Sequence, residues 1–128
     1  MSYKILICED NEKNRKLMED IFKYHGYEVY LAANGKEGIE MAKRIKPDLI
    51  LMDMQMPVLD GFEAIKKIRQ DSEIKHIKII AVTSYAMSGD KERVLQAGAD
   101  YYIAKPIDTR ALPEVIKKVI EGENHERS

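Results

Sequence analysis

The stretch Asp48-Leu49-Ile50-Leu51-Met52-Asp53 is the most hydrophobic in the chain, and it predicts a strand that is buried on both faces. On both sides of it, short apolar runs alternate with longer amphipathic segments. Runs at residues 4–8, 28–32, 78–83 and 100–104 predict four more strands, and an amphipathic segment after each strand predicts a helix. This alternation is typical of repeated βα units that carry a parallel sheet, so the chain predicts an α/β fold with five strands and five helices.

Capping residues indicate where the helices begin and end. The predicted helix starts are Asn11, Asn34, Ser88 and Asp108, and the predicted ends are Gly26, Lys46-Pro47 and Gly98. In the first helix, the predicted buried face consists of Leu17, Met18, Ile21 and Phe22, which recur at helical spacing. Pro113 lies beyond the first turn of a helix that starts at Asp108, so this helix is predicted to start late or to bend.

Composition and charge exclude several classes of protein. The chain has 21 Lys plus Arg and 22 Asp plus Glu, a net charge of −1, so no overall charge favours DNA, RNA or an anionic membrane. The basic run Lys66-Lys67-Ile68-Arg69 is interpreted as a solvated helix face and is too short to indicate nucleic-acid binding. No apolar run approaches the roughly 20 residues that a membrane-spanning helix requires.

The length of 128 residues is typical of one domain. We predict that residues 1–122 form this domain and that residues 123–128 are a polar C-terminal tail. The single cysteine, Cys8, cannot form an internal disulfide, and the first residues lack the features of a signal peptide. We therefore expect a cytoplasmic protein.

Charged and hydroxyl side chains stand at the carboxyl ends of four predicted strands. Glu9 and Asp10 follow the first strand, Asp53 ends the third, Thr83 ends the fourth and Lys105 follows the fifth. In an open parallel sheet these ends share one edge, and ligands bind there at the point where the strand order reverses. We therefore expect three carboxylates, a hydroxyl and an amine to gather at a single site.

Carboxylates gathered in this way require a cation. Two unit charges about 4.5 Å apart repel each other by roughly 3–4 kcal/mol at an effective dielectric constant near 20. Mg²⁺ (or Mn²⁺) suits the site, because it prefers oxygen ligands and accepts carboxylates together with water and phosphate oxygens. Lysine and threonine can donate to two oxygens of a phosphoryl group, and a carboxylate can act as the nucleophile. The arrangement predicts phosphoryl transfer to an aspartate.

These residues resemble the receiver domains of bacterial two-component response regulators, including the single-domain chemotaxis type, over about residues 4–121. The matching residues are Glu9-Asp10-Asn11, Asp53, Met56-Pro57, Asp60-Gly61, Thr83, Gly98-Ala99-Asp100 and Lys105-Pro106. The resemblance implies a flavodoxin-like, doubly wound parallel sheet with the strand order 2-1-3-4-5. It also implies a cis peptide bond between Lys105 and Pro106.

The resemblance implies roles for the residues at the strand ends. Asp53 would accept a phosphoryl group from a phosphohistidine on a histidine kinase or a histidine phosphotransfer protein. Asp10 and Asp53 would bind Mg²⁺ through their side chains, Gln55 through its backbone carbonyl and Glu9 through water. Lys105 would contact the phosphoryl oxygens. The chain would catalyse its own phosphorylation and slow dephosphorylation, without a separate output enzyme.

Phosphorylation of Asp53 is also expected to operate a switch. A phosphoryl group adds about two negative charges and a strong acceptor, which would draw Thr83 inward and vacate space beside the fourth strand. The resemblance implies that Tyr102, at the position of the family's switch aromatic, would move into this space. A downstream protein would bind the face formed by helix 4, strand 5 and helix 5, and the chain would be a monomer or a phosphorylation-dependent dimer. Gln55 and Tyr85 would flank the path of the attacking water, and we expect Tyr85 to slow the loss of the phosphoryl group.

Three other functions remain open at this point. A turnover phosphatase of the haloacid dehalogenase type would carry a second acid two residues after the nucleophile, where this chain has Gln55. A flavin-binding protein with the same sheet order would need small hydroxyl residues after the first strand, where Glu9 and Asp10 would repel the phosphate. A pseudo-receiver would bind partners without phosphorylation, although all the matching chemical residues are present. The residues at the strand ends therefore favour a phosphoacceptor signalling module.

Overall fold

Strands and helices alternate along the chain in the computed structural model, which describes residues 2–56, 58–84 and 90–122. The strands are β1 (Lys4–Cys8), β2 (Glu28–Ala32), β3 (Leu49–Asp53), β4 (Lys78–Thr83) and β5 (Tyr101–Ala104). The helices are α1 (Glu12–Tyr24), α2 (Gly35–Ile45), α3 (Gly61–Gln70), α4 (Asp90–Ala97) and α5 (Leu112–Ile120). The predicted α/β fold is confirmed, and β3 and β5 begin one residue later than predicted.

The five strands form one parallel sheet in the order β2-β1-β3-β4-β5. β1 pairs with β2 on one side and with β3 on the other, so that Leu6 lies between Tyr30 and Ile50. The strand order reverses at the boundary between β1 and β3. This confirms the flavodoxin-like order, and it opens a crevice at the carboxyl ends of β1 and β3.

Helices cover both faces of the sheet, and the apolar side chains of the central strands alternate between the two faces. One face contributes Leu6, Ile50, Met52 and Ile79 to a core with Ala42, Ile65 and Val94 of the helices α2, α3 and α4. The other contributes Ile5, Ile7, Leu51 and Ile80 to a core with Phe22 and Ile116 of α1 and α5. Because both faces are buried, the polar residues of β3 and β4 stand at their ends, where Asp53 and Thr83 reach the crevice.

Side-chain caps fix the starts of three helices. Asn11 accepts a hydrogen bond from the Asn14 N–H at 3.0 Å, and Asn34 accepts one from the Glu37 N–H at 2.9 Å, as predicted. Asp60 Oδ1 accepts one from the Glu63 N–H at 3.0 Å and caps α3. An aspartate three residues before a glutamate is a sequence signal for this third cap, which was not predicted.

The predicted cap at Asp108 is wrong. Its carboxylate accepts a hydrogen bond from the Arg110 N–H at 3.0 Å, within the turn that precedes α5. The helix begins only at Leu112, with Ala111 as an N-cap that makes no side-chain hydrogen bond. Because Pro113 lacks an N–H and fits only in a first turn, it moves the helix start toward itself. The late start predicted from Pro113 is therefore confirmed.

Two further expectations about exposure are wrong. Leu17 lies at the edge of the buried face of α1 and is 49% exposed. Arg69 is not a solvated charge, since its guanidinium donates to the carbonyls of Lys75 and Ile77 at 2.6 Å and of Gly98 at 2.8 Å, and to Asp100 Oδ2 at 2.9 Å. The arginine thus ties the end of α3 to the segments before β4 and β5.

The predicted cap at Ser88 lies outside the described residues. In the part of the chain that the structure describes, none of the helices combines the length and apolar character needed to cross a membrane.

Candidate functional site

The sheet brings the predicted site residues together at the carboxyl ends of its strands. Glu9 continues β1, since its N–H donates to the Ala32 carbonyl at 3.0 Å. Lys105 continues β5 in the same way, with its N–H donating to the Thr83 carbonyl at 2.9 Å. Asp53 is the last residue of β3, between these two segments. Backbone hydrogen bonds of the parallel sheet therefore fix the backbone of each residue, independently of its side chain.

Asp53 is the centre of the site. Its side chain is 2% exposed, and its Oδ1 accepts hydrogen bonds from Lys105 Nζ and from the Gln55 N–H, both at 3.0 Å. Its Oδ2 is buried and has no hydrogen-bond partner among the described residues. A buried polar atom of this kind is costly unless a ligand satisfies it. One oxygen of Asp53 is thus held in place, and the other has no partner among the described residues that a cation or an electrophile would have to displace.

Three carboxylates, including that of Asp53, form a cluster at this edge of the sheet. Glu9, Asp10 and Asp53 each offer an oxygen, and these oxygens lie within 4.8 Å of one another. Glu9 and Asp53 are buried, whereas Asp10 is exposed and opens the cluster to solvent. A set of hard oxygen donors with one solvent-facing side fits Mg²⁺, which retains water when it binds to proteins.

Burial affects the protonation of Glu9. Desolvation, and then the contact with the Asp53 carboxylate, raise the pKa of Glu9 to about 7. The Asn11 N–H donates to Glu9 Oε2 at 3.2 Å and Lys105 lies nearby, and both lower this pKa only in part. Without a cation, Glu9 therefore keeps its proton to a higher pH than a solvent-exposed glutamate does.

Arg15 braces the loop that carries the acidic pair, a contact that the sequence did not indicate. Its Nη1 donates to the carbonyl of Glu9 at 2.8 Å and to that of Asp10 at 3.2 Å. The contact directs a charged donor at backbone oxygens, so the carboxylates remain available to other ligands.

Thr83 and Gln55 are in direct contact. Thr83 is fully buried at the end of β4, and its Oγ1 accepts a hydrogen bond from Gln55 Nε2 at 3.2 Å. The other end of the same amide, Oε1, accepts one from the Ser84 N–H at 3.1 Å. The backbone carbonyl of Gln55 is the group that the resemblance implicates in metal binding, so its side-chain contacts are an addition from the structure.

Two tyrosines, Tyr102 and Tyr85, were predicted to act at the site. Tyr102 lies in β5 and is partly buried, and Lys91 Nζ of α4 lies 5.7 Å from the centre of its ring. Tyr85 lies outside the described residues. The peptide bond between Lys105 and Pro106 is cis, which confirms that prediction.

A close approach of α3 supports the loop after Asp53. A Cβ on Gly61 would lie 2.6 Å from Met54 Sδ, 2.7 Å from Met54 Cα and 2.9 Å from the Asp53 carbonyl oxygen. Two of these three atoms belong to the backbone and cannot move aside. The glycine is therefore required for the start of α3 to pack against the residue that follows Asp53.

A cavity of about 270 Å³ adjoins the carboxylate cluster. It lies between α1 and the segment after β5, and its lining includes Glu9, Met18, Lys105 and Ile107. The site is therefore open toward the α1 side of the sheet edge.

Comparisons with known proteins agree with this geometry. A family model described as response regulator receiver domain matches residues 5–117. A polar-differentiation response regulator, DivK of Brucella anthropi, is 44% identical over 120 residues, which cover 94% of this chain and 98% of the relative. DivK of Brucella ovis is 43% identical over the same share of both chains.

The chain is also similar to solved structures of receiver domains and chemotaxis proteins. The receiver domain of a sensor histidine kinase from Pseudomonas aeruginosa, solved with a magnesium ion coordinated in its active-site cleft, is 38% identical. It superposes with a TM-score of 0.88, covering 95% of this chain and 100% of that one. The chemotaxis protein CheY4 of Vibrio cholerae is 29% identical with a TM-score of 0.87, covering 93% and 99% of the two chains.

Proposed function

Since the chain belongs to the response regulator receiver domain family, the phosphoacceptor signalling modules of two-component systems, we propose that Asp53 accepts the phosphoryl group. The observation that supports this choice is the hydrogen bonding of the Asp53 carboxylate. Lys105 and the Gln55 N–H hold one oxygen, while the other is buried without a partner among the described residues. Glu9 is as buried as Asp53 but forms no ion pair with a lysine among the described residues, and Asp10 is exposed. We also propose that residues 1–122 form the receiver domain and residues 123–128 a polar tail, in agreement with α5 ending at Ile120.

The transfer step follows from the chemistry of the carboxylate. An oxygen of Asp53 attacks the phosphorus of a phosphohistidine on a histidine kinase or a histidine phosphotransfer protein. The new P–O bond forms as the P–N bond breaks, and the neutral imidazole leaves with a proton from solvent. Lys105 and Thr83 donate to the phosphoryl oxygens, where negative charge must be stabilised. In this proposal the chain catalyses its own phosphorylation and a slow dephosphorylation.

The donor set of the cluster is suited to Mg²⁺ or Mn²⁺. Asp10 and Asp53 would hold the ion through their carboxylates, Gln55 through its backbone carbonyl and Glu9 through water. The unpartnered oxygen of Asp53 and the repulsion within the cluster support this assignment. When bound, the ion supplies positive charge that neutralises the carboxylates and the phosphoryl oxygens.

The output of the module is proposed to be a change in a protein-binding surface. Phosphorylation draws Thr83 toward the phosphoryl group, and Tyr102 moves into the space vacated. The surface of α4, β5 and α5 then binds a downstream protein, with the chain acting as a monomer or as a phosphorylation-dependent dimer. Gln55 and Tyr85 set the lifetime of the phosphoryl group. We place this activity in the cytoplasm, where unpaired thiols such as Cys8 are usual, with no nucleic-acid or membrane partner.

Intact-protein mass spectrometry tests the assignment of Asp53. The protein is incubated with a small-molecule phosphodonor, with and without Mg²⁺, and compared with the variants Asp53→Asn and Asp60→Asn. Asp60 is a matched control, since it lies in the same loop and an asparagine there still caps α3. We expect a Mg²⁺-dependent gain of one hydroxylamine-labile phosphoryl group in the wild type and in Asp60→Asn only.

Other outcomes of this experiment would change the assignment. A phosphoryl group retained in Asp53→Asn would place the acceptor at another residue. If the folded wild type bound Mg²⁺ without gaining a phosphoryl group, the same experiment would be repeated with a phosphorylated histidine phosphotransfer protein. No transfer from that donor either would contradict the proposal and favour a binding module that acts without phosphorylation.

A further inference from the structure

The side chain of Gln55 connects the two parts of the site that phosphorylation must rearrange. Its amide nitrogen donates to Thr83 Oγ1 at 3.2 Å, and its amide oxygen accepts from the Ser84 N–H at 3.1 Å. The orientation of the amide is determined by chemistry, because a backbone N–H can only donate and must therefore face the oxygen. The NH₂ group is left to face Thr83, whose oxygen accepts.

The same residue is fixed at its backbone. The Gln55 N–H donates to Asp53 Oδ1 at 3.0 Å, so Gln55 contacts the carboxylate of β3 and the end of β4 at once. Thr83 is fully buried, so its side chain is shielded from water where it stands. Gln55 is itself only partly buried, so its amide can turn to solvent once it releases Thr83.

We propose that the Gln55 side chain is a latch for the resting state, which holds Thr83 and Ser84 and must release Thr83 before this residue can reach a phosphoryl group on Asp53. The inference rests on the proposed function, in which Thr83 moves on phosphorylation. It assigns to Gln55 a positioning role that differs from its proposed effect on the lifetime of the phosphoryl group. The latch opposes the switch, so removing it makes the active state easier to reach.

The variant Gln55→Met tests the latch, since methionine has a similar length and no hydrogen-bonding amide. Each hydrogen bond lost corresponds to a change of about fivefold in an equilibrium constant. We expect the Ser84 amide to exchange with solvent deuterium about fivefold faster, measured by NMR without any phosphodonor. With Mg²⁺ present, we expect beryllofluoride, a mimic of the phosphoryl group, to bind about fivefold more tightly.

Two controls separate a latch from general loosening of the structure. Gln70→Met makes the same change at an exposed position at the end of α3 and should alter neither measurement. In the Thr83→Val background, the residue that the latch releases is absent. There, Gln55→Met should change the dissociation constant of beryllofluoride by less than about twofold, whereas an effect through the carboxylate cluster would persist.

A failure of the latch can be distinguished from a failure of Asp53 as the phosphoacceptor. Weaker or unchanged beryllofluoride binding in Gln55→Met, or unchanged exchange of the Ser84 amide, would overturn the latch while leaving Asp53 as acceptor. The exchange measurement in Asp53→Asn needs no phosphorylation, so it reports on the latch even if Asp53 is not the acceptor. The latch would be supported if Gln55→Met accelerated exchange of the Ser84 amide both in the otherwise wild-type protein and in Asp53→Asn.

Discussion

The protonation of Glu9 leads to a prediction about stability in the absence of metal. Burial and the Asp53 contact raise its pKa from 4.5 to about 7 in the folded protein. Well below pH 4.5 the carboxyl group is neutral in both the folded and the unfolded chain. As the pH rises from 4.5 to about 7, the unfolded chain loses the proton first, so the free energy of unfolding falls. Above that window the full cost of the buried charge is present.

The size of this effect follows from the pKa shift. A pKa difference of one corresponds to about 1.4 kcal/mol, so the rise from 4.5 to about 7 corresponds to at most about 3.5 kcal/mol. Asp10 is exposed and lets water reach the cluster, and Lys105 supplies a compensating charge. We therefore expect about 1–2 kcal/mol of destabilisation from Glu9 at about pH 8.

Urea denaturation of the wild type and of Glu9→Gln, with a chelator present, measures the effect. The variant keeps an oxygen for the Asn11 N–H but cannot ionise. We expect it to be more stable than the wild type by about 1–2 kcal/mol at about pH 8, and nearly equal in stability at about pH 4.5. Glu40→Gln, at an exposed position in α2, is the control and should show no such dependence.

Magnesium provides a second check on the same reasoning. The ion binds ionised carboxylates, so it should stabilise the wild type more at about pH 8 than at about pH 5.5. A Glu9→Gln variant that is less stable than the wild type at the higher pH without metal would refute the argument. A difference that does not vary with pH would also refute it, since it would have to arise from packing.

Three further predictions concern residues that support the fold and the site. Gly61→Ala should lower the free energy of unfolding by about 1–3 kcal/mol in urea, because its Cβ would lie 2.7 Å from Met54 Cα. It should also slow the phosphorylation seen by mass spectrometry, and an unchanged rate would show that the loop adapts. Arg69→Met should lower the free energy of unfolding by about 3–5 kcal/mol, measured by thermal denaturation, because Asp100 loses its guanidinium partner. Arg69→Lys should restore only part of this loss. Asn34→Ala should cost about 1 kcal/mol in urea, and Asn34→Ser should restore most of it. A loss below about 0.3 kcal/mol would mean that the cap is not needed.

Local signals in the sequence were sufficient to predict most of the fold. The apolar runs around Asp53 predict five strands, and caps such as Asn11 and Asn34 act within one turn of their own helix. The prediction at Asp108 is wrong because two local signals compete there, and the rigid ring of Pro113 determines the helix start. The error at Arg69 has a different origin, since its partners come from segments that only the folded chain brings together.

The sequence by itself determined the order of the elements and the identity of the residues at the strand ends, because hydrophobic periodicity and capping act over a few residues. In a parallel sheet the carboxyl ends of the strands share one edge, so the sequence alone predicts that Glu9, Asp53, Thr83 and Lys105 lie together. Only the tertiary structure decided three features of the site: the burial of Glu9, the Asp53 oxygen that has no hydrogen-bond partner among the described residues, and the hydrogen bond from Gln55 to Thr83. These depend on desolvation and side-chain orientation, which arise when distant segments pack together and exclude water.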